Sequence, residues 1–164
     1  MGELGSYNGF SGAERNAKLK SMQRRIASGE MSPASGCCAL CGDPEGPLEY
    51  HDEDYGRPYL WTEPAIFILC RHCHREKLHK RFNRPTVWQT FLAHVRRGGY
   101  ARDLKNAETK REFDRYRAAL DQQETPDALV SLRPYARAQG EEWFAKLRMD
   151  PESLTDPAAR PRSG

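Results

Sequence analysis

Long apolar stretches are scarce in this 164-residue chain: hydrophobic residues make up 38% and mean hydropathy is −0.85. The longest uninterrupted run is the six residues from Ala65 to Cys70, far short of the roughly 20 that a bilayer-spanning helix needs. The opening MGELGSYNGF has neither a basic start nor an apolar stretch. Neither membrane insertion nor secretion is therefore expected, and a cytoplasmic setting is. Apolar residues are also too few for a large core, so a chain with 30% charged residues needs another source of cohesion. A bound metal is one such source.

The net charge of +3 implies no partner by itself, but the charge is unevenly spread. Between Asp43 and Glu63 there are seven acids against one base, Arg57. Between Arg71 and Arg111 there are twelve bases against three acids. An acidic patch that suits cations thus precedes a stretch cationic enough to meet phosphates and release their counterions, which points to nucleic acid.

Five cysteines stand at positions 37, 38, 41, 70 and 73. They form two CxxC knuckles, Cys38 to Cys41 in CALCG and Cys70 to Cys73 in CRHCH, with Cys37 to spare. Two such knuckles let four thiolates converge tetrahedrally, the closed coordination of a structural zinc. In a reducing compartment disulfides are the weaker account of this spacing, and a redox dithiol is the remaining one.

Patterning orders the rest of the chain. Ser11 and Glu14 suit a capping box before Leu19, Met22 and Ile26, which predicts one amphipathic helix over 12–28. Its other face carries Arg15, Lys18, Lys20, Arg24 and Arg25, either solvated or an auxiliary DNA-contacting arm. Leu48–His51 and Ala65–Leu69 read as strands, and HREKLHKRF as a helix. Helices are expected at 86–97, through Trp88, Phe91, Leu92 and Val95, at 106–120, and at 134–148. His94 reads as core edge, and the Pro-rich end as disordered.

CALCG, the isolated histidine in LEYHDEDYGRP and the run CRHCHREK together resemble the HNH endonuclease family, the ββα-metal nucleases, in its zinc-braced form. The resemblance covers about residues 37–82. It implies phosphodiester hydrolysis in DNA by a divalent cation, Mg²⁺ or Mn²⁺, with His74 as the helix-borne ligand and His51 carrying the first half of the site. The zinc on Cys38, Cys41, Cys70 and Cys73 would be structural. Many members have an adjacent Asp-His or His-His pair, whereas this chain has Tyr50, His51, Asp52. HDEDYGRP looks like the HHxDYxxP of phage-type members, a register in which His51 is the ligand and Asp52 the base; in the other register His51 is the base. Hydrolysis needs a Lewis acid and a base in either case. Asp54 and Tyr55 are further candidates for positioning water or phosphate, and Arg75, Lys77, Lys80 and Arg81 for neutralising the DNA backbone. His79, five residues after His74, falls off the His74 face of a regular α-helix.

The expected fold is α+β: a small HNH-like ββα core braced by a four-cysteine zinc site, with an N-terminal helix and C-terminal helices. The expected division is residues 1–36 (helix and linker), 37–84 (the core), 85–149 (a helical cover) and 150–164 (a tail). A homodimer is the form in which a single-site nuclease cuts both strands. The alternative from another class is a non-catalytic zinc-binding module for nucleic acid or a protein partner.

Overall fold

A computed structural model describes residues 4–130 together with Phe144 and Leu147. Apart from those two residues, the helix expected at 134–148 and the tail at 150–164 lie outside the described residues. Among the described residues the chain is α+β, with three α-helices, shorter helical turns and a two-stranded sheet. None of these helices is long and apolar enough to cross a membrane.

Strands β1 (Leu48–Asp52) and β2 (Ile66–Cys70) form the sheet. The Glu53 N–H donates to Ala65 O at 3.0 Å and the Arg71 N–H to Pro47 O at 3.4 Å, which marks the pair as an antiparallel hairpin. In β2 every residue except Ile68 is buried, as its unbroken apolar sequence predicts. Within β1 successive side chains point to opposite faces, so Glu49 and His51 share one face and Tyr50 and Asp52 the other. The described chain forms two compact units, residues 4–35 with 50–67 and residues 36–49 with 68–130.

In the first unit Tyr7 and Phe10 exchange both backbone hydrogen bonds at 3.0 Å across Asn8 and Gly9. Both central residues have positive φ, 52° and 79°, the Asn-Gly signature of a two-residue hairpin turn. Helix α1 (Gly12–Ala27) follows, and its expected capping box is present: the Ser11 hydroxyl accepts from the Glu14 N–H, and the Glu14 side chain accepts from the Ser11 N–H. Its buried face differs from the expected one. Arg15, Lys18 and Met22 are buried, while Leu19 and Ile26 are only half-buried. A lysine is tolerated there because Asp52, the Asp54 carbonyl and the rings of Tyr55 and Trp61 surround it. Lys18 and Arg15 therefore do not belong to a solvated or DNA-contacting arm.

In the second unit Leu40, Leu69, Leu78, Trp88, Phe91 and Val95 make the core. Helix α2 (Pro85–Arg96) starts with proline in its first turn, and Gly98 at φ 94° follows its end. Asn106 caps helix α3 (Ala107–Asp121), its side chain accepting from the N–H groups of Glu108 and Thr109. His94 is wholly buried: its Nε2–H donates to Tyr100 O at 2.9 Å, and Arg97 Nη2 donates to its Nδ1 at 2.8 Å. Burial pulls its pKa down, so it is a neutral, doubly bonded core histidine.

The helix expected from HREKLHKRF starts at His72 and is not a regular α-helix. His72–Lys77 is π-helical and Leu78–Lys80 is a 3₁₀ turn. The Leu78 N–H reaches back to Cys73 O as well as His74 O, so one turn here takes five residues. That wide turn corrects the placement of His79. Five residues on is one full turn, and the His74 and His79 rings meet edge to face with centroids 4.5 Å apart.

Candidate metal centre and flanking histidines

The cysteine cage lies wholly in the second unit. Gly42 at φ 76° closes the first knuckle, with its N–H on Cys38 O at 2.8 Å and the Cys38 N–H on Asp43 O at 2.9 Å. The Ala39 N–H bonds Ile68 O at 2.7 Å, which docks that knuckle against β2. In the second knuckle the Cys73 N–H points at Cys70 Sγ, 3.5 Å away. All four side chains are buried, and their sulfurs lie within 4.8 Å of one another, so the set could hold a metal ion. Metal–sulfur bonds of about 2.3 Å in a tetrahedron separate the sulfurs by about 3.8 Å, which falls within that bound.

The thiols also show what the cage requires. Hydrogen bonds from Cys41, Cys70 and Cys73 push the Cys38 thiol far down, while burial pushes that of Cys73 far up. Four sulfurs this close cannot all lose their protons unless a cation replaces them. All five cysteines are unbridged; Cys37 is exposed and outside the set.

In the same unit Glu49 on β1 gathers the donors of the 72–80 segment. His74 Nδ1 donates to Glu49 Oε2 at 2.9 Å, and Arg75 grips both oxygens at 2.7 and 3.0 Å. Arg71 Nε adds a bond to Oε1 at 3.1 Å. Burial works to raise the Glu49 pKa, but His74, Arg75 and Arg71 outweigh it and hold the carboxyl below its ordinary range. Glu49 is therefore an ionised acceptor that fixes the His74 proton on Nδ1 and leaves the lone pair on Nε2.

In the first unit His51 is wholly buried, and its Nε2 lies 2.5 Å from Glu53 Oε1. The carboxylate fixes the proton on Nε2 and the lone pair on Nδ1. Asp52 faces the other side of β1 and pairs with the Lys18 ammonium at 2.7 Å. Burial raises the Asp52 pKa against the pull of Lys18. Tyr55 is buried, which pushes its phenol up to about 12, and Asp54 accepts from the Gly56 N–H at 2.7 Å.

The four cations expected at the DNA backbone differ in exposure. Arg75 and Lys80 are exposed. Lys77 is half-buried, its ammonium 5.5 and 5.1 Å from the ring centres of Phe91 and Phe113, and burial lowers its pKa. Arg81 has no exposed surface; its guanidinium stacks on Phe82 and donates to Leu78 O at 3.3 Å. It is thus not on the solvent-facing surface of this unit.

No family model, curated protein or solved structure matches this chain. The candidate site rests on its own geometry. Sequence reasoning passed over Glu49 and Glu53 as members of an acidic run, and over the Tyr7–Asn8 turn altogether. The signals were present: Glu49 and His51 alternate along β1 and Glu53 follows at the same spacing just beyond it, and Asn8-Gly9 is a strong two-residue turn signal.

Proposed function

We propose that the protein is a zinc-braced, metal-dependent endonuclease of the ββα-metal kind, acting on DNA. In this reading zinc fills the cysteine cage and is structural, since four thiolates leave no open position. The candidate ligands of a second divalent cation are His74 and His79 in the second unit and His51 in the first. The observation that carries the reading is the pair of carboxylate–imidazole bonds, Glu49 of β1 with His74, and Glu53, just past the end of β1, with His51. Metal-binding histidines characteristically donate their other ring N–H to such a carboxylate. An imidazole donor set suits Mn²⁺ better than Mg²⁺, which demands oxygen ligands.

A cation bound there supplies a Lewis acid for the scissile phosphate and its leaving oxygen. The chain's own residues do the rest. Glu49 and Glu53 orient the imidazoles and set which ring nitrogen faces away from the carboxylate, for a ligand or for the proton of the attacking water. Arg75 and Lys80 offer exposed positive charge to the flanking phosphates. A cleft of about 730 Å³ lined by Lys77, Arg84, Lys110 and Arg117, with Asp114 and Asp121 among its acids, is a further place for backbone phosphate. With Asp52 on the opposite strand face and paired to Lys18, His51 is the better candidate of the two for the chemistry.

The same pairing of Asp52 favours the second reading, a non-catalytic nucleic-acid-binding module, because it removes a carboxylate from service as base. Plasmid nicking separates the two. The nuclease reading expects Mn²⁺-dependent nicking that His74→Ala and His51→Ala abolish while near-stoichiometric zinc is retained. DNA binding without nicking under Mg²⁺ or Mn²⁺ would overturn it in favour of the module.

A further inference from the structure

We propose that Glu53 is the positioning residue for His51 and that the amino-terminal Tyr7–Asn8 turn locks Glu53 in place, which makes that turn part of the site. This rests on the reading of His51 given above.

Glu53 is held from three sides within the first unit. Its Oε1 takes the His51 Nε2–H at 2.5 Å and the Tyr7 hydroxyl at 2.9 Å. Its Oε2 takes the Asn8 amide at 2.9 Å, and the same amide reaches the Glu53 backbone carbonyl at 2.8 Å. The Tyr7 ring also meets the His51 ring edge to face, centroids 5.8 Å apart. His51 is wholly buried, so water does not compete for its Nε2–H. A half-turn of the imidazole about its Cβ–Cγ bond would exchange the two nitrogens. The carboxylate opposes that flip because only an N–H can face it, and Tyr7 and Asn8 oppose any swing of the carboxylate. Asn8 reaches Glu53 because the turn holds it at φ 52°, a conformation asparagine tolerates better than most residues. Glu53 thus sets which nitrogen carries the lone pair, without itself touching cation or substrate.

The test uses the full-length, zinc-loaded protein and four forms: wild type, Glu53→Ala, Glu53→Gln, and Tyr7→Phe combined with Asn8→Gly, in which glycine keeps the positive φ. Long-range proton–nitrogen NMR reads the His51 tautomer, and titration with Mn²⁺ alone reads affinity. The expected result is an Nε2–H tautomer in wild type, and in Glu53→Ala a mixed tautomer with Mn²⁺ affinity about 10–100-fold weaker. Glu53→Gln should keep the Nε2–H tautomer, since its amide oxygen accepts the same N–H, with a smaller loss of affinity than Glu53→Ala because its NH2 then faces the Asn8 amide; the turn variant should also fall between wild type and Glu53→Ala. A wild-type tautomer and affinity in Glu53→Ala would overturn the proposal. So would equal loss of affinity in the Gln and Ala variants with the tautomer unchanged, since that would make Glu53 a direct ligand. If wild type binds no Mn²⁺ yet Glu53→Ala alone loses the Nε2–H tautomer, the positioning role stands and the nuclease reading fails.

Discussion

Replacing Lys18 by methionine keeps the length of the side chain and deletes its charge. The ammonium lies 2.7 Å from Asp52 Oδ1 and 2.6 Å from Asp54 O, with the lysine side chain 0% and the aspartate 8% exposed. Removing one partner of a buried pair costs about 3–5 kcal/mol, because the surviving charge stays desolvated and uncompensated. An exposed pair would cost no more than about 1 kcal/mol. The cost should also depend on pH. Burial already raises the Asp52 pKa and Lys18 opposes that rise, so loss of Lys18 moves it further above the unfolded value. A carboxyl raised in the folded state favours folding when protonated; the penalty in the variant therefore shrinks as pH falls from 7 toward 5. Adding Asp52→Asn should recover part of the loss, a coupling of about 1–3 kcal/mol. Urea unfolding at saturating zinc, followed by tryptophan fluorescence, measures all of this, and Trp61 lies 5.3 Å from the lysine nitrogen. A loss below about 1 kcal/mol at pH 7, or strictly additive single and double variants, would refute the reasoning.

Chelation of the cage metal, or Cys73→Ser, should abolish cooperative unfolding of the second unit and expose the buried Trp88, as circular dichroism and fluorescence would show; a native spectrum after complete metal removal would contradict a structural role. Gly99→Ala brings a Cβ to 2.3 Å from His94 Nε2, a clash with a buried ring that should lower stability by about 1–3 kcal/mol in urea titrations. Because burial depresses the His94 pKa, the unfolded chain binds more protons below about pH 6.5, and stability should fall as pH drops from there. His94→Gln should flatten that slope even though it lowers stability throughout. Arg75→Ala and Lys80→Ala should each weaken DNA binding and reduce the salt slope by about one, whereas Arg81→Ala should destabilise the fold and leave the salt slope unchanged.

Much of the scaffold was legible because it follows local rules. The α1 capping box, the proline at the start of α2 and the apolar run of β2 each act over a few residues. So does the spacing of the two knuckles that brings four sulfurs together. What the sequence concealed was non-local or broke the standard period. Lys18 looks like a surface lysine until Asp52, 34 residues away, is seen to face it. Arg81 belongs to a basic run, yet Phe82 and the Leu78 carbonyl claim its guanidinium. A 3.6-residue period misplaces His79, because the turn that leads to it is π-helical. Glu49 and Glu53 were hidden by their abundance: in a run of seven acids nothing local marks the two that orient imidazoles.

Cys37 offers a practical handle. Its four companions sit inside the cage, so a maleimide dye added to metal-loaded protein should attach at this one outward sulfur, immediately before a cage residue. Emission from that label would then report loss of the ion in real time, without any engineered cysteine.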